Sequence, residues 1–312
     1  MRTRTGFHTL DRWLYNAQIV RRPPRADVVL GVDLDGFLWA RRRAGTSGPF
    51  VVALKGIIAD ELRNERGLVR ALLTLQARWE RTNVHRAERV IVPSRYSAGV
   101  AHEVYAIARE RIAVVPEPID LAEWRRRFAG APPRGAGPPT VLSVARMYPR
   151  KRLDDLLRAA VDLRSRIPNV TVRIVGDGPE SSRLRTLTGS LGLTGTVTFL
   201  GEISRSALAV EYAGAHCFCL PTVQEGFGLV FAEAMAAGLP IVACRAAAVP
   251  EVVMDGRTGL LVSPRDPEDL AKAMETLLTN AALRAELGAA GLRRVEELDL
   301  DRVAARLVQA LP

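Results

Sequence analysis

Lysine is nearly missing from this sequence. Only Lys55, Lys151 and Lys272 stand among 44 basic residues, so a lysine marks a place where a compact point charge suits better than arginine's planar fork. Aromatics are scarce too, at 5% of 312 residues, and the arginines are spread along the chain without a nucleic-acid motif. No nucleic-acid partner is expected. Cys217, Cys219 and Cys244 all lie in apolar runs, and an odd number without metal-ligand spacing argues against a disulfide framework or a zinc cluster. Nowhere does the chain approach roughly 18 uninterrupted apolar residues, and its start lacks the apolar run of a leader peptide, so a cytoplasmic protein is expected. There are no internal repeats. What remains is a chain 48% hydrophobic and 25% charged, long enough for two globular domains. Its formal charge of +10 suits an anionic ligand or surface as well as it suits plain arginine-rich composition.

The most informative stretch runs from Pro221 to Gly238. His216 to Leu220 before it reads as a buried strand, and an alanine-rich helix after Gly228 should stop at Gly238 and Pro240. Two acids bracket the turn, Glu225 in the loop and Glu233 about one turn into the helix. Glycines 226 and 228 allow backbone N–H groups to approach a ligand, and a helix start favours an anion. A phosphorylated, hydroxyl-rich ligand fits this pattern.

Glu225-Gly226-Phe227-Gly228-Leu229 with Glu233 resembles the signature of the retaining GT-B glycosyltransferases of family four (the glycosyl transferases group 1 type). The resemblance implies two doubly wound Rossmann-like α/β domains facing a cleft. It implies that Glu225 lies near a donor sugar, that Glu233 holds the nucleotide ribose, and that the amides of Gly226, Phe227, Gly228 and Leu229 meet the donor. Arg146 and Lys151 match the family's Arg, four residues, Lys segment, whose cations hold the donor diphosphate. Gly176-Asp177-Gly178 matches a turn near the nucleotide, and Ile203 a position lining the base pocket. The catalytic set so implied is Arg146, Lys151 and Glu225. Such enzymes work without a metal or other cofactor, and a uridine diphosphate sugar is the first donor to try. No histidine of the four falls in a matched motif, so no general base is assigned.

Along the chain, helical spacing of Phe7, Leu10, Trp13, Leu14 and Ala17 suggests an amphipathic helix that packs on the chain's own sheet or lies on a membrane surface. Strands are expected at 27–33, 50–54, 89–94 and 111–116, with long helical sequence from 60 to 88. Asp33-Leu34-Asp35 has the form of a metal-binding Asp-x-Asp, but the remaining motifs belong to the metal-free fold. Lys55 ends the second strand where a ligand crevice is expected, and is a candidate donor or acceptor contact. Family members more often carry histidine there, and asparagine-glycine where this chain has Glu117-Pro118. Relatives usually begin with further strands, so the first domain looks incomplete, with a sheet edge open to a covering partner or to self-association. Residues 131–139 read as a linker between an acceptor-side domain (1–130) and a nucleotide-sugar domain (140–312), with the last helix a candidate to cross back. The alternative to an enzyme is a sugar-nucleotide-binding scaffold left by N-terminal truncation.

Overall fold

The computed structural model describes residues 8–21, 26–42, 48–65, 67–131 and 137–312. Phe7 and most of the expected linker lie outside these. The chain divides into two compact units, residues 1–117 with 303–312, and residues 118–302.

In the first unit, β1 (Val29–Val32), β2 (Phe50–Ala53), β3 (Arg89–Val92) and β4 (Ile112–Val114) form a parallel sheet in simple sequential order. Before and between them run α1 (His8–Arg21), α2 (Phe37–Arg42), α3 (Ile58–Glu61), α4 (Gly67–Arg86) and α5 (Arg95–Tyr105). Alternation along β2 divides the core. Phe50 and Val52 join Trp39, Val84, Val100 and Tyr105 on one face, while Val51 and Ala53 join Ile91, Val115, Val303 and Leu307 on the other. The helical stretch expected from 60 to 88 is broken: Leu62–Asn64 is a 3-10 turn, and α4 begins at Gly67, whose φ of 57° no ordinary helix residue adopts. The apolar stripe expected on α1 is turned partly outward. Leu10 and Trp13 are more than two-fifths exposed, while Asn16 is buried and accepts the amide of Gly36 at 2.7 Å.

In the second unit α6 (Leu121–Ala129) precedes a six-stranded parallel sheet. Its strands are β5 (Thr140–Val144), β6 (Thr171–Val175), β7 (Val197–Gly201), β8 (Cys217–Leu220), β9 (Ile241–Cys244) and β10 (Gly259–Val262), in spatial order β10-β9-β8-β5-β6-β7. Helices α7 (Leu153–Arg166), α8 (Ser181–Ser190), α9 (Arg205–Gly214), α10 (Leu229–Ala236), α11 (Val249–Val252), α12 (Pro267–Thr279) and α13 (Ala281–Val295) cover it, and α14 (Leu300–Ala310) leads back to the first unit. Residues 118–130, grouped by sequence with the first domain, pack in the second. Trp124 meets Tyr212 edge-on at 5.7 Å, and Ile119 exchanges backbone hydrogen bonds with Leu298 and Leu300. All three cysteines are buried free thiols.

Candidate functional site

Strand order reverses in the second sheet between β5 and β8, since the chain builds outward through β6 and β7, then returns to the other side of β5. In open parallel sheets a ligand crevice forms beyond the carboxyl ends at such a point. The predicted residues fall there: Arg146 and Lys151 follow β5, Gly176–Gly178 follows β6, Ile203 follows β7, and Glu225 to Leu229 follows β8.

These loops are joined largely through their backbones. The Met147 amide donates to Asp177, the Gly176 amide to Gly201, the Val223 amide to Arg150, and the Ala248 amide to Glu225, over 2.8 to 3.3 Å. Such contact leaves no room for side chains. A Cβ on Gly176 would sit 2.1 Å from the carbonyl oxygen of Ala145, and one on Gly178 would sit 2.7 Å from the amide nitrogen of Met147. Gly228 caps α10 with φ of 91°, and no side chain caps the helix. Among the described residues no hydrogen-bond partner is seen for the amides of Gly228, Leu229 and Val230, so the helix start presents open donors.

Lys151 is not a bare cation. Its ammonium is ion-paired with Glu225, both side chains being largely buried. One N–H is used, and the remaining two can serve a ligand. Arg152 follows with φ of 52°, an uncommon conformation for a bulky residue, and is held by a bidentate fork to Asp155 at 2.7 and 2.9 Å. Arg146 contrasts with both: its side chain is two-thirds exposed, loosely placed 4.0 Å from Glu202, with its guanidinium 5.9 Å from the Tyr148 ring centre. Arg146 also helps hold Asp177 below the usual carboxylate range, after hydrogen bonds from the Gly178 amide and the Ser181 hydroxyl.

Glu233 lies on α10, where burial raises its pKa against the opposing hydrogen bond from Tyr212, whose hydroxyl donates to Oε2 at 2.9 Å. Tyr212 itself is fully buried, against Trp124 and Phe218. Sequence reasoning missed Tyr212, Arg152 and Asp155. The tyrosine reads as one more core residue of an amphipathic helix, and only a positive φ would have set Arg152 apart. Phe227 is buried in the core, and Ile203 is half-buried against it.

In the first unit, Asp33 follows β1 with φ of 52° and accepts the Lys55 amide through Oδ1 at 2.8 Å. Burial raises the pKa of both Asp33 and Asp35. Behind them α4 supplies buried polar groups the sequence did not mark. Asn83 donates to the carbonyls of Asp33 and Asp35 at 3.0 and 3.1 Å, while Oε2 of Glu80 accepts the Ile58 amide at 3.0 Å and the Tyr105 hydroxyl. Glu80 is held uncharged to about pH 8 by burial.

The sequence matches the profile of Glycosyl transferases group 1 over residues 125–294 and that of Glycosyltransferase Family 4 over residues 3–123. It is 34% identical over 203 residues to the GDP-mannose-dependent alpha-(1-6)-phosphatidylinositol monomannoside mannosyltransferase of Mycolicibacterium smegmatis, covering 62% of this chain and 51% of that protein. It is 34% identical over 245 residues to the D-inositol 3-phosphate glycosyltransferase of Rhodococcus erythropolis, covering 74% of this chain and 55% of that one. The chain thus spans about half the length of these curated relatives. Among solved structures, sucrose-phosphate synthase from Thermosynechococcus elongatus superposes with a TM-score of 0.78 at 23% identity, over 98% of this chain and 78% of that one. Anabaena HepE in complex with UDP and glucose superposes with 0.76 at 22% identity, over 94% and 80%.

Proposed function

Because the chain belongs to the glycosyl transferases group 1 family, we propose that it is a retaining glycosyltransferase moving a hexose from a nucleoside diphosphate sugar to a glycan, lipid-linked or small-molecule acceptor. The observation that supports this best is the meeting, at the strand-order reversal, of two cations, two acids and an uncapped helix start. When the anomeric carbon–oxygen bond breaks, negative charge grows on the departing diphosphate. Lys151 and the open amides at Gly228 to Val230 are fixed donors for that charge, the exposed Arg146 can swing onto it, and none needs a metal ion to act. Glu225 aims Lys151 before a ligand arrives and stands near the donor sugar. Glu233, one oxygen already engaged by Tyr212, offers the other to the ribose hydroxyls, with the turn at Gly176 to Gly178 and Ile203 about the base.

The test is a thermal-shift screen against the common nucleoside diphosphates, uridine first, followed by donor turnover without added metal. Arg146→Ala should slow turnover by about 100-fold or more, as for one lost oxyanion donor, and Glu233→Ala should weaken nucleotide binding. Unchanged nucleotide affinity in both variants defeats the reading. Binding without turnover, restored by an added partner, would favour the scaffold alternative.

We propose further that the protein works in the cytoplasm at the inner membrane face; what supports the membrane part is a surface of apolar and basic side chains. Among the described residues no helix is long and apolar enough to cross a membrane. Yet Leu68, Val69, Leu72 and Leu75 are exposed on α4, and Arg41, Arg78, Arg81 and Arg86 line a hollow of about 450 Å³ between α2 and α4. Apolar side chains beside a basic cluster suit anionic lipid. Flotation with anionic but not zwitterionic vesicles is expected, and equal flotation with both argues against it.

A further inference from the structure

Two departures from the family pattern, Lys55 for histidine and Glu117 for asparagine, stand 62 residues apart and meet in the structure. The Lys55 ammonium donates to Oε2 of Glu117 at 2.7 Å. The residues project from the carboxyl ends of β2 and β4, on either side of β3, so the pair spans the middle strand. Glu117 is mostly buried, its side chain 13% exposed, while that of Lys55 is 49% exposed. The acid is set back and the ammonium faces solvent. Asp33 fixes the start of the same loop through the Lys55 amide.

Charge decides what such a pair can bind. Arg12 and Lys55 are the cations acting on Asp33, while Asp35 and Glu117 add further negative charge nearby. Lys55 is already matched by Glu117 and has Asp33 beside it, so the pair itself brings no surplus positive charge for a phosphate. An incoming anion could take the N–H groups that Glu117 leaves free only by lying beside a partly buried carboxylate. A pair of neighbouring hydroxyls meets no such obstacle. One accepts an ammonium N–H and the other donates to the carboxylate, so the ligand bridges an ion pair that stays intact.

Taking the first unit as the acceptor side of the proposed enzyme, we propose that Lys55 and Glu117 together read a neutral vicinal diol of a sugar or cyclitol acceptor and disfavour a phosphate ester. The substitutions at 55 and 117 then act as one unit. Replacing Glu117 alone frees a cation, and replacing Lys55 alone strands an acid.

The experiment uses the full chain saturated with the nucleoside diphosphate that binds best. Affinities for myo-inositol and inositol 3-phosphate are measured by ligand-observed NMR, with methyl mannoside and mannose 6-phosphate as a second matched set. The wild type should favour each neutral ligand by about tenfold. Glu117→Gln should shift that ratio toward the phosphate ester by about tenfold or more, and Lys55→Gln should weaken the neutral ligand without reversing the preference. Because each ratio is read within one variant, a general loss of folded protein cancels. Nucleotide binding with no polyol binding, with phosphate preferred by the wild type, or with the same ratio in both variants overturns this inference alone. A wild type that binds no nucleotide defeats the proposed function as well.

Discussion

The two sheets hold their carboxyl-end loops in opposite ways. In the second unit the loops are tied by main-chain hydrogen bonds, and the residues that allow the closest approaches are small: Gly176 and Gly178. In the first unit the loops hang from side chains of α1 and α4, with Asn16, Glu80 and Asn83 each reaching backbone groups after β1 or β2. A main-chain tie tolerates almost no substitution but carries no charge. A side-chain tie can be swapped for an isostere, and where it is a buried acid it makes the fold depend on pH.

Gly176→Ala should break the first arrangement most severely. It forces a Cβ into the Ala145 carbonyl at a φ of 111°, which should cost about 4 kcal/mol or more, read as a fall in the urea midpoint of the second unit. Glu80→Gln sharpens the contrast from the other side. The folded chain keeps the Glu80 proton up to about pH 8, whereas the unfolded chain releases it near 4.5, so stability falls as pH rises through that window. The amide oxygen of glutamine can still accept from Ile58 and Tyr105 but has no proton to lose. The variant should therefore gain on the wild type by about 3 kcal/mol between pH 4.5 and 7, as measured by denaturation at several pH values. Equal pH profiles would show that Glu80 is not the responsible group. The smallest effect belongs to Ala247→Gly. Ala247 sits at φ of 49° to bring the next amide onto Glu225, and glycine there should stabilise by about 0.5 to 1 kcal/mol.

The same contrast explains what could be read in advance. A close main-chain approach writes itself into the sequence as glycine, so the turns at 176–178 and 226–228 and their acids were visible. Glu80, Asn83 and Tyr212 were not, because a polar residue on a helix looks the same whether it faces water or a buried amide. Pairing across distance was also hidden: Lys55 and Glu117 each stood out alone, but only the sheet order brings them together. The domain boundary was drawn at the proline- and glycine-rich run because composition reports irregular backbone. Packing of Trp124 on Tyr212 groups residues 118–130 with the unit that follows.

Val303 and Leu307 lie against Val51, Ala53 and Ile91, on the face of the first sheet that α2, α4 and α5 leave uncovered. The first sheet is thus completed by a segment translated after the entire second unit. Until Val303 and Leu307 are made, Val51, Ala53 and Ile91 on a ribosome-bound chain lack these partners and are open to chaperones or to a neighbouring nascent chain. This part of the first core therefore closes only after the second unit has been made.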